Sequence, residues 1–254
     1  MIKSKHIVLL TILIIFFLNF LFASEQNLTL FNEIIKANTG IKSLDAKIIQ
    51  HIDTAEHSRE VFAGRYIADN SGRFKIEYTS PSKQTVLNNC QALYWYFHDS
   101  NLLYILGHEK TNHRNPKINP LAEFQYKDFN EQFKMDYQGK ELYGFFKFAH
   151  KFAVKDIKND LNFNIKVDAK NNMLLSKIIT NSAGLEILKE KYSNYELIKN
   201  IYFPKRIDVY ARTSKGIIRN TTEYDNILLN YSVPENVFEI RFPANARKKY
   251  LYGD

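Results

Sequence analysis

The side chains able to do acid–base or metal chemistry are scattered along this chain. Its seven histidines offer one loose grouping, His98, His108 and His113 with Glu109, whose spacing matches no common zinc pattern. Asp53, Glu56 and His57 fall in a turn-like stretch, where solvated polar residues are the ordinary explanation. There is no Gly-x-Ser-x-Gly, no phosphate-cradling glycine loop and no His-Glu-x-x-His. The single cysteine, Cys90, has no partner for an internal disulfide and reads as an inert small residue in a turn. Basic and aromatic residues interleave from Lys134 to Lys158, as in single-strand nucleic-acid binders, yet Lys and Arg form no concentrated stripe. The expectation is a protein that is not an enzyme, holds no metal or cofactor and binds no nucleic acid.

What the chain does offer is apolar surface. From Gly64 to Leu106 apolar residues recur at every second position, broken by Asp-Asn-Ser-Gly, Ser-Pro-Ser and Asn-Asn, the residues that end one strand and begin another. Phe74, Ile76 and Tyr78 point one way and Arg73, Lys75 and Glu77 the other, while Leu93, Trp95 and Phe97 share a face. Consecutive antiparallel strands with one aromatic face and one charged face follow. That aromatic face either packs a core or lines a pocket.

The elements that must position it begin after a leader. Lys3 and Lys5 precede an apolar run from Ile7 to Phe22, and Ala23-Ser24 lead out of it, the layout of a secretory signal peptide over residues 1–24. The run is short for a membrane span, and an uncleaved inner-membrane anchor is the alternative. No cysteine follows the run, so N-terminal lipidation is not expected. Loss of Lys3 and Lys5 with the leader takes the formal charge from +8 to +6, which after export favours acidic membrane surfaces or partners. Residues 25–254, about 230 in all, suffice for one domain with a sizeable core.

Leu28 to Asn38 reads as an amphipathic helix, with Leu28, Phe31, Ile34 and Ile35 on one side and Asn38-Thr39-Gly40 as its stop. Strands are expected near 44–52 and 59–68, then, after a polar loop at 108–120 and a short helix around Leu121 and Phe124, from Leu161 onward in two-residue period. The segment 131–158 is ambiguous between strand and helix. Further strands are read near 173–180, 185–195, 202–211, 216–226 and 236–242. About ten short strands and two or three helices indicate a mainly β, α+β fold: a curled antiparallel sheet, or incomplete β-barrel, covered by a helical lid.

The order of helix, strand pair, Gly64-Arg65-Tyr66, Phe74-Lys75-Ile76-Glu77-Tyr78, Ser80-Pro81 and Leu93-Tyr94-Trp95-Tyr96 resembles the LolA family, the periplasmic outer-membrane lipoprotein carriers, and its looser lipoprotein-sorting relatives. Phe74 and Pro81 keep the spacing of that family's Pro-x-x-Phe-x-x-x-x-x-x-Pro element, and Leu93 and Trp95 match its Gly-x-x-Leu-Trp-x-Tyr element. Tyr202 to Ile207 and Val237 to Pro243 resemble the closing strands. Two features depart from the pattern. The Arg-Pro pair that holds the family's lid falls at Asn70 and Ser71, with Arg73 the nearest basic residue, and the motif glycine falls at Cys90 or a neighbouring Asn.

The resemblance implies a periplasmic monomer that takes acyl chains of lipoproteins, or other lipids, between an inner-membrane release complex and an outer-membrane acceptor. Phe62, Tyr66, Phe74, Ile76, Tyr78, Leu93, Trp95 and Phe97 are the candidate cavity lining. Phe31, Ile34, Ile35, Leu121 and Phe124 are the candidate lid. Two other readings fit the same residues: a membrane-tethered domain that senses lipid or envelope stress, and a structural domain whose aromatic face fills a closed core.

Overall fold

The computed structural model describes residues 26–54, 59–107, 119–124 and 129–251. The expected leader, and His108, Glu109, His113, Glu56 and His57, lie outside the described residues. Helix α1 (residues 26–38) opens the fold. Its last turn is closed by side chains: Asn38 Nδ2 donates to the Ile34 carbonyl at 2.8 Å and Thr39 Oγ1 to that of Ile35 at 2.7 Å, satisfying acceptors that a helix end leaves open.

Six strands follow, β1 (Ser43–Asp53), β2 (Glu60–Asp69), β3 (Phe74–Ser80), β4 (Gln84–Asn88), β5 (Ala92–Phe97) and β6 (Leu102–Gly107), each antiparallel to the one before. A 3₁₀ turn (Ala122–Phe124) and a single helical turn, α2 (Phe129–Gln132), lead into a second meander. It comprises β7 (Phe133–Tyr143), β8 (Lys147–Asp156), β9 (Leu161–Asp168), β10 (Leu174–Thr180), β11 (Glu186–Ile198), β12 (Ile201–Thr213) and β13 (Gly216–Leu229). The last strand, β14 (Arg247–Leu251), pairs in parallel with β6. β1 pairs with β13, so both meanders join in one sheet ordered β14-β6-β5-β4-β3-β2-β1-β13-β12-β11-β10-β9-β8-β7. The result is a mostly β protein, a single open, curled sheet with one substantial helix.

The ambiguous 131–158 segment is thus the β7–β8 hairpin, and three later strands run to thirteen or fourteen residues, longer than the short strands expected. The strand read near 236–242 is not one. Glu235–Phe238 is a 3₁₀ turn and the residues after it are extended without a partner strand. The reason is burial: Val237, Phe238 and Phe242 lie flat over the outside of the first meander, packing on Ile67, Leu87, Tyr94 and Tyr96. The outer face of β4–β6 is therefore apolar and covered rather than charged, while the neighbouring outer face of β3 stays polar, with Lys75 and Glu77 paired at 2.8 Å.

Arg73 pins that C-terminal layer. Its guanidinium binds Asp69 Oδ2 through Nε and Nη2 at 2.8 and 2.6 Å, reaches Glu235 at 2.5 Å, and stacks 4.7 Å from the Phe238 ring centroid. Asp69 is held in turn by the Ser71 amide and hydroxyl. Gly64 is equally constrained: a Cβ there would meet the Glu77 carbonyl oxygen at 2.3 Å, so β2 and β3 approach closely only with glycine at this bulge.

The main core lies on the opposite, inner face. Phe31, Ile34 and Ile35 of α1 pack with Leu121, Phe124, Phe129, Phe133, Phe152 and Phe163 on the β7–β11 half of the sheet, Phe31 with no exposed surface. Its ring meets those of Phe124, Phe129 and Phe152 at 4.9–5.9 Å. Replacing Phe31 by Ala is expected to cost about 3–5 kcal/mol, the range for emptying a fully buried aromatic site, measurable by urea denaturation. Replacing Arg73 by Ala is expected to cost about 2 kcal/mol, chiefly through the charge-assisted bonds to Asp69, with faster amide exchange confined to residues 231–251.

Candidate functional site

Strand register decides which of the candidate residues meet. Tyr66 lies opposite Ile76, Ile76 opposite Val86, Val86 opposite Trp95 and Trp95 opposite Tyr104, one row across five strands. Tyr78, Gln84 and Phe97 form a second row, and Phe74, Asn88 and Leu93 a third. Phe62 joins through its ring, 5.4 Å from that of Tyr78. All eight candidate lining residues therefore share the inner face of β2–β5. Most are half-buried; Tyr78 is buried, and Trp95, the sole tryptophan, is 42% exposed while stacked on Phe97 at 4.9 Å.

The candidate lid residues sit elsewhere. Phe31, Ile34, Ile35, Leu121 and Phe124 are all buried in the β7–β11 core, and none of the eight lining residues packs in that cluster. Helix α1 covers one half of the inner face, and the expected aromatic lining occupies the other.

Between the two halves lies a cavity of about 600 Å³. Its apolar wall is formed by Ile41, Leu44, Tyr66, Phe203, Ile207 and Tyr224, and its rim by Ala37 and Asn38 at the end of α1 with Ile201 and Tyr202. Tyr66 is the one candidate residue that reaches it. Most of the wall comes from β10–β13, which the sequence reading identified as strands without assigning them a site. The available clue was the alternation itself, since Ile207, Val209 and their register partners Tyr192 and Glu190 fall on one face.

One wall is charged. Lys177, inward-facing and nearly sealed from solvent, donates to Glu190 at 3.0 Å, Glu123 at 3.1 Å and the Pro120 carbonyl at 2.9 Å, and Tyr192 donates to Glu190 at 2.7 Å. Burial alone would push the Lys177 ammonium down. Glu190 and Glu123 more than offset this and hold it above its ordinary value, so it stays charged. The cluster ties the 119–124 segment to β10 and β11. Asn119, on the same segment, donates to the carbonyls of Thr39 and Ile41 at 3.3 and 3.0 Å.

His98 sits beside Thr85 Oγ1 at 3.0 Å, and among the described residues no group of three His, Cys, Asp or Glu converges as a metal site would require. Cys90 holds a left-handed backbone, φ 70°, a conformation that glycine adopts freely. Arg73, the basic residue nearest the unmatched Arg-Pro pair, faces the C-terminal layer instead of α1.

Burial raises the hydroxyls of Tyr66, Tyr224 and Tyr195 above their ordinary value, and Tyr78 to about 12. A group whose folded pKa lies above its unfolded value of about 10 contributes stability that is complete below that pH and is lost as pH rises through the folded value. Lys177 acts in the same direction. Stability is therefore expected to fall above about pH 10, with late ionisation of the buried tyrosines coinciding with unfolding when ultraviolet absorbance and circular dichroism are followed together.

Neither a family model nor a curated protein matches the sequence. Solved structures do match the fold. A LolA superfamily protein from Nitrosomonas europaea aligns over 82% of this chain and 97% of its own, at 12% identity and a TM-score of 0.55. A DUF1329 family protein from Desulfovibrio piger aligns over 81% and 92%, at 12% identity and 0.58. A domain named for outer membrane lipoprotein sorting, from Vibrio parahaemolyticus, aligns over 83% and 95%, at 9% identity and 0.58. At such identities the likeness is one of fold, and the fold of this chain is a divergent LolA-like one.

Proposed function

We propose that this protein is an exported carrier that binds the acyl chains of lipoproteins, or of other lipids, on the inner face of its sheet and conveys them toward the outer membrane. The observation that carries this reading is the cavity of about 600 Å³ at the seam of the two meanders, continuous through Tyr66 with the half-buried aromatic face of β2–β5. Its volume falls in the range of roughly 300–1,000 Å³ typical of small-molecule sites. Each methylene moved from water into it is worth about 0.8 kcal/mol, so one acyl chain suffices for useful affinity without any catalytic group. Residues 1–24 act as the export signal in this reading, and the periplasm is the compartment where acylated cargo needs shielding from water. Two of the neighbours above are named as a LolA superfamily protein and an outer membrane lipoprotein-sorting domain, which supports a binding role.

Phe62, Phe74, Ile76, Tyr78, Leu93, Trp95 and Phe97 extend the site from Tyr66 across β2–β5. Helix α1 and the 119–124 segment pack on the β7–β11 half and border the seam cavity rather than lying over these residues.

The test is uptake of a fluorescent fatty acid by delipidated protein, with Trp95 as the intrinsic reporter. Saturable uptake with a blue shift of Trp95 emission is expected. Ile207→Trp, which fills the seam cavity, is expected to weaken binding by about tenfold or more, and Trp95→Asp to weaken it through the open face. Wild-type protein that takes up no fatty acid and carries none from the cell would overturn the carrier reading.

A further inference from the structure

The β7–β8 hairpin ends in Gly144-Phe145-Phe146-Lys147, and its two phenylalanines are the most solvent-exposed large apolar side chains among the described residues, at 85% and 82%. They pack only edge-on against each other, with ring centroids 4.5 Å apart. Leu142 and Phe148, paired across the hairpin just below, are also exposed. β7 is the last strand of the sheet, so among the described residues the tip projects from an edge with no strand beyond it.

The exposed charge around the tip is basic. Lys140 and Lys147 flank it, and Lys170 stands on the adjoining β9–β10 turn, brought alongside by the Ala169 amide donating to the Phe148 carbonyl at 2.8 Å. All three lysines are exposed, and among the described residues no carboxylate pairs with them. Two carboxylates on the same strands, Glu141 of β7 and Asp168 of β9, have other partners. Glu141 is bound by Lys166 and Lys151 at 2.5 and 3.3 Å, and Asp168 accepts from the Tyr143 hydroxyl at 2.5 Å and from the amides of Lys170 and Asn171. Bare aromatic rings with a surplus of unpaired lysines match the interface of an anionic bilayer, where rings sit at headgroup depth and each lysine near the surface adds about 1 kcal/mol.

This tip lies at the same end as the cavity rim. The β9–β10 turn that adjoins it also accepts, at the Asn172 carbonyl, a 2.6 Å bond from Asn38, and Asn38 is part of the cavity wall. Tyr202, which lines the cavity, is exposed at the start of β12, and Leu197 and Leu228 are exposed at the ends of β11 and β13.

We propose that the β7–β8 tip, Phe145 and Phe146 with Lys147 and Lys170, seats this end of the protein on an anionic phospholipid surface. The seating needs no ligand in the cavity and stands apart from the carrier reading.

The experiment uses the full chain carrying Cys90→Ser and Phe146→Cys, labelled at residue 146 with a polarity-sensitive fluorophore and mixed with vesicles of phosphatidylcholine, with or without phosphatidylglycerol. A local label separates tip insertion from any membrane binding by the leader. A blue shift and protection from an aqueous quencher are expected on the anionic vesicles, reduced at high salt. The same label at Ile157, at the opposite end of β8, is expected to remain water-like. Lys147→Glu with Lys170→Glu is expected to lower partitioning by about tenfold or more. A label at 146 that stays water-like on anionic vesicles overturns the proposal. So does a shift that appears without vesicles and grows with protein concentration, which would assign the tip to contact between copies. Fatty-acid uptake, measured on Phe145→Ser with Phe146→Ser, is expected to be unchanged, so loss of seating and loss of cavity binding are read separately.

Discussion

Everything in this fold depends on the pairing of β1 with β13. Either meander alone is a run of hairpins whose contacts are local. The ladder from Leu44↔Leu229 to Asp53↔Arg219 joins residues some of the farthest apart in the chain and turns two sheets into one. Its start is reinforced by side chains. Asn230 accepts from the Lys42 amide at 2.6 Å and donates to the Gly40 carbonyl at 3.0 Å, and Ser43 Oγ both donates to and accepts from the Tyr231 backbone. The same residues stop α1, begin β1 and launch the C-terminal layer, so helix, seam and outer cover are placed together. Such non-local pairing must be made against loop-closure entropy, which makes a topology of this kind slow to form.

A second constraint is one of width. Strands about 4.8 Å apart place fourteen of them over roughly 60 Å of sheet, whereas a helix with its side chains is about 10–12 Å across. One helix covers a few strands and no more. α1 is used on the β7–β11 half, where Phe31 and five other phenylalanines close a dry core. The remaining inner face has only curvature with which to bury itself, and the half-buried state of β2–β5 and the cavity at the seam follow. On the outer face the same shortage is met differently, by extended chain from Tyr231 to Ala246 laid over β2–β6.

How much of this was legible follows from where the periodicity was clean. RFKIEY alternates strictly, and the inner row Tyr66–Ile76–Trp95 was readable because a two-residue period fixes the face once the turns are placed, whereas ALYWYF is apolar on both faces. α1 was readable from Phe31, Ile34 and Ile35 and its Asn-Thr-Gly stop. β7 and β8 were not, because Phe145, Phe146 and Phe148 put apolar residues on solvent positions and blur the period, which is the same peculiarity that marks the tip as an interaction surface. Val237 to Phe242 looks like a strand because it is apolar and extended, but sequence cannot tell packing on a face from pairing at an edge. The seam cavity was missed because its wall is assembled across β1, β11, β12 and β13, and pairings between β1 and β13 leave no local trace. The inward lysine in Leu-Leu-Ser-Lys-Ile-Ile was the one local anomaly there.

The inner face of β2–β5 looks less apolar in sequence than it is in the structure. Gln84 and Asn88 stand among its aromatic residues, with Gln50 of β1 beside Phe62, and exposed amides would hold water and oppose an acyl chain. Each of these amides is bonded within the protein instead. Gln50 accepts from the Tyr78 hydroxyl and donates to Thr222 at 3.0 Å. Gln84 accepts from the Trp95 indole at 2.8 Å and donates to Ser82 at 2.8 Å. Asn88 donates to the Gly72 carbonyl at 2.9 Å and accepts from the Cys90 amide at 3.2 Å. A polar group that has its partners carries little further demand for water, so covering it with hydrocarbon costs far less than burying it unpaired. In the carrier reading this matters more than the count of aromatic rings. The amides fix the orientation of Tyr78 and Trp95, and the surface they leave toward a ligand is apolar in its hydrogen-bonding demand although two of its three rows contain an amide. A face held half-open by such bonds can take a chain and give it back without repacking a core, which the Phe31 cluster on the other half could not do.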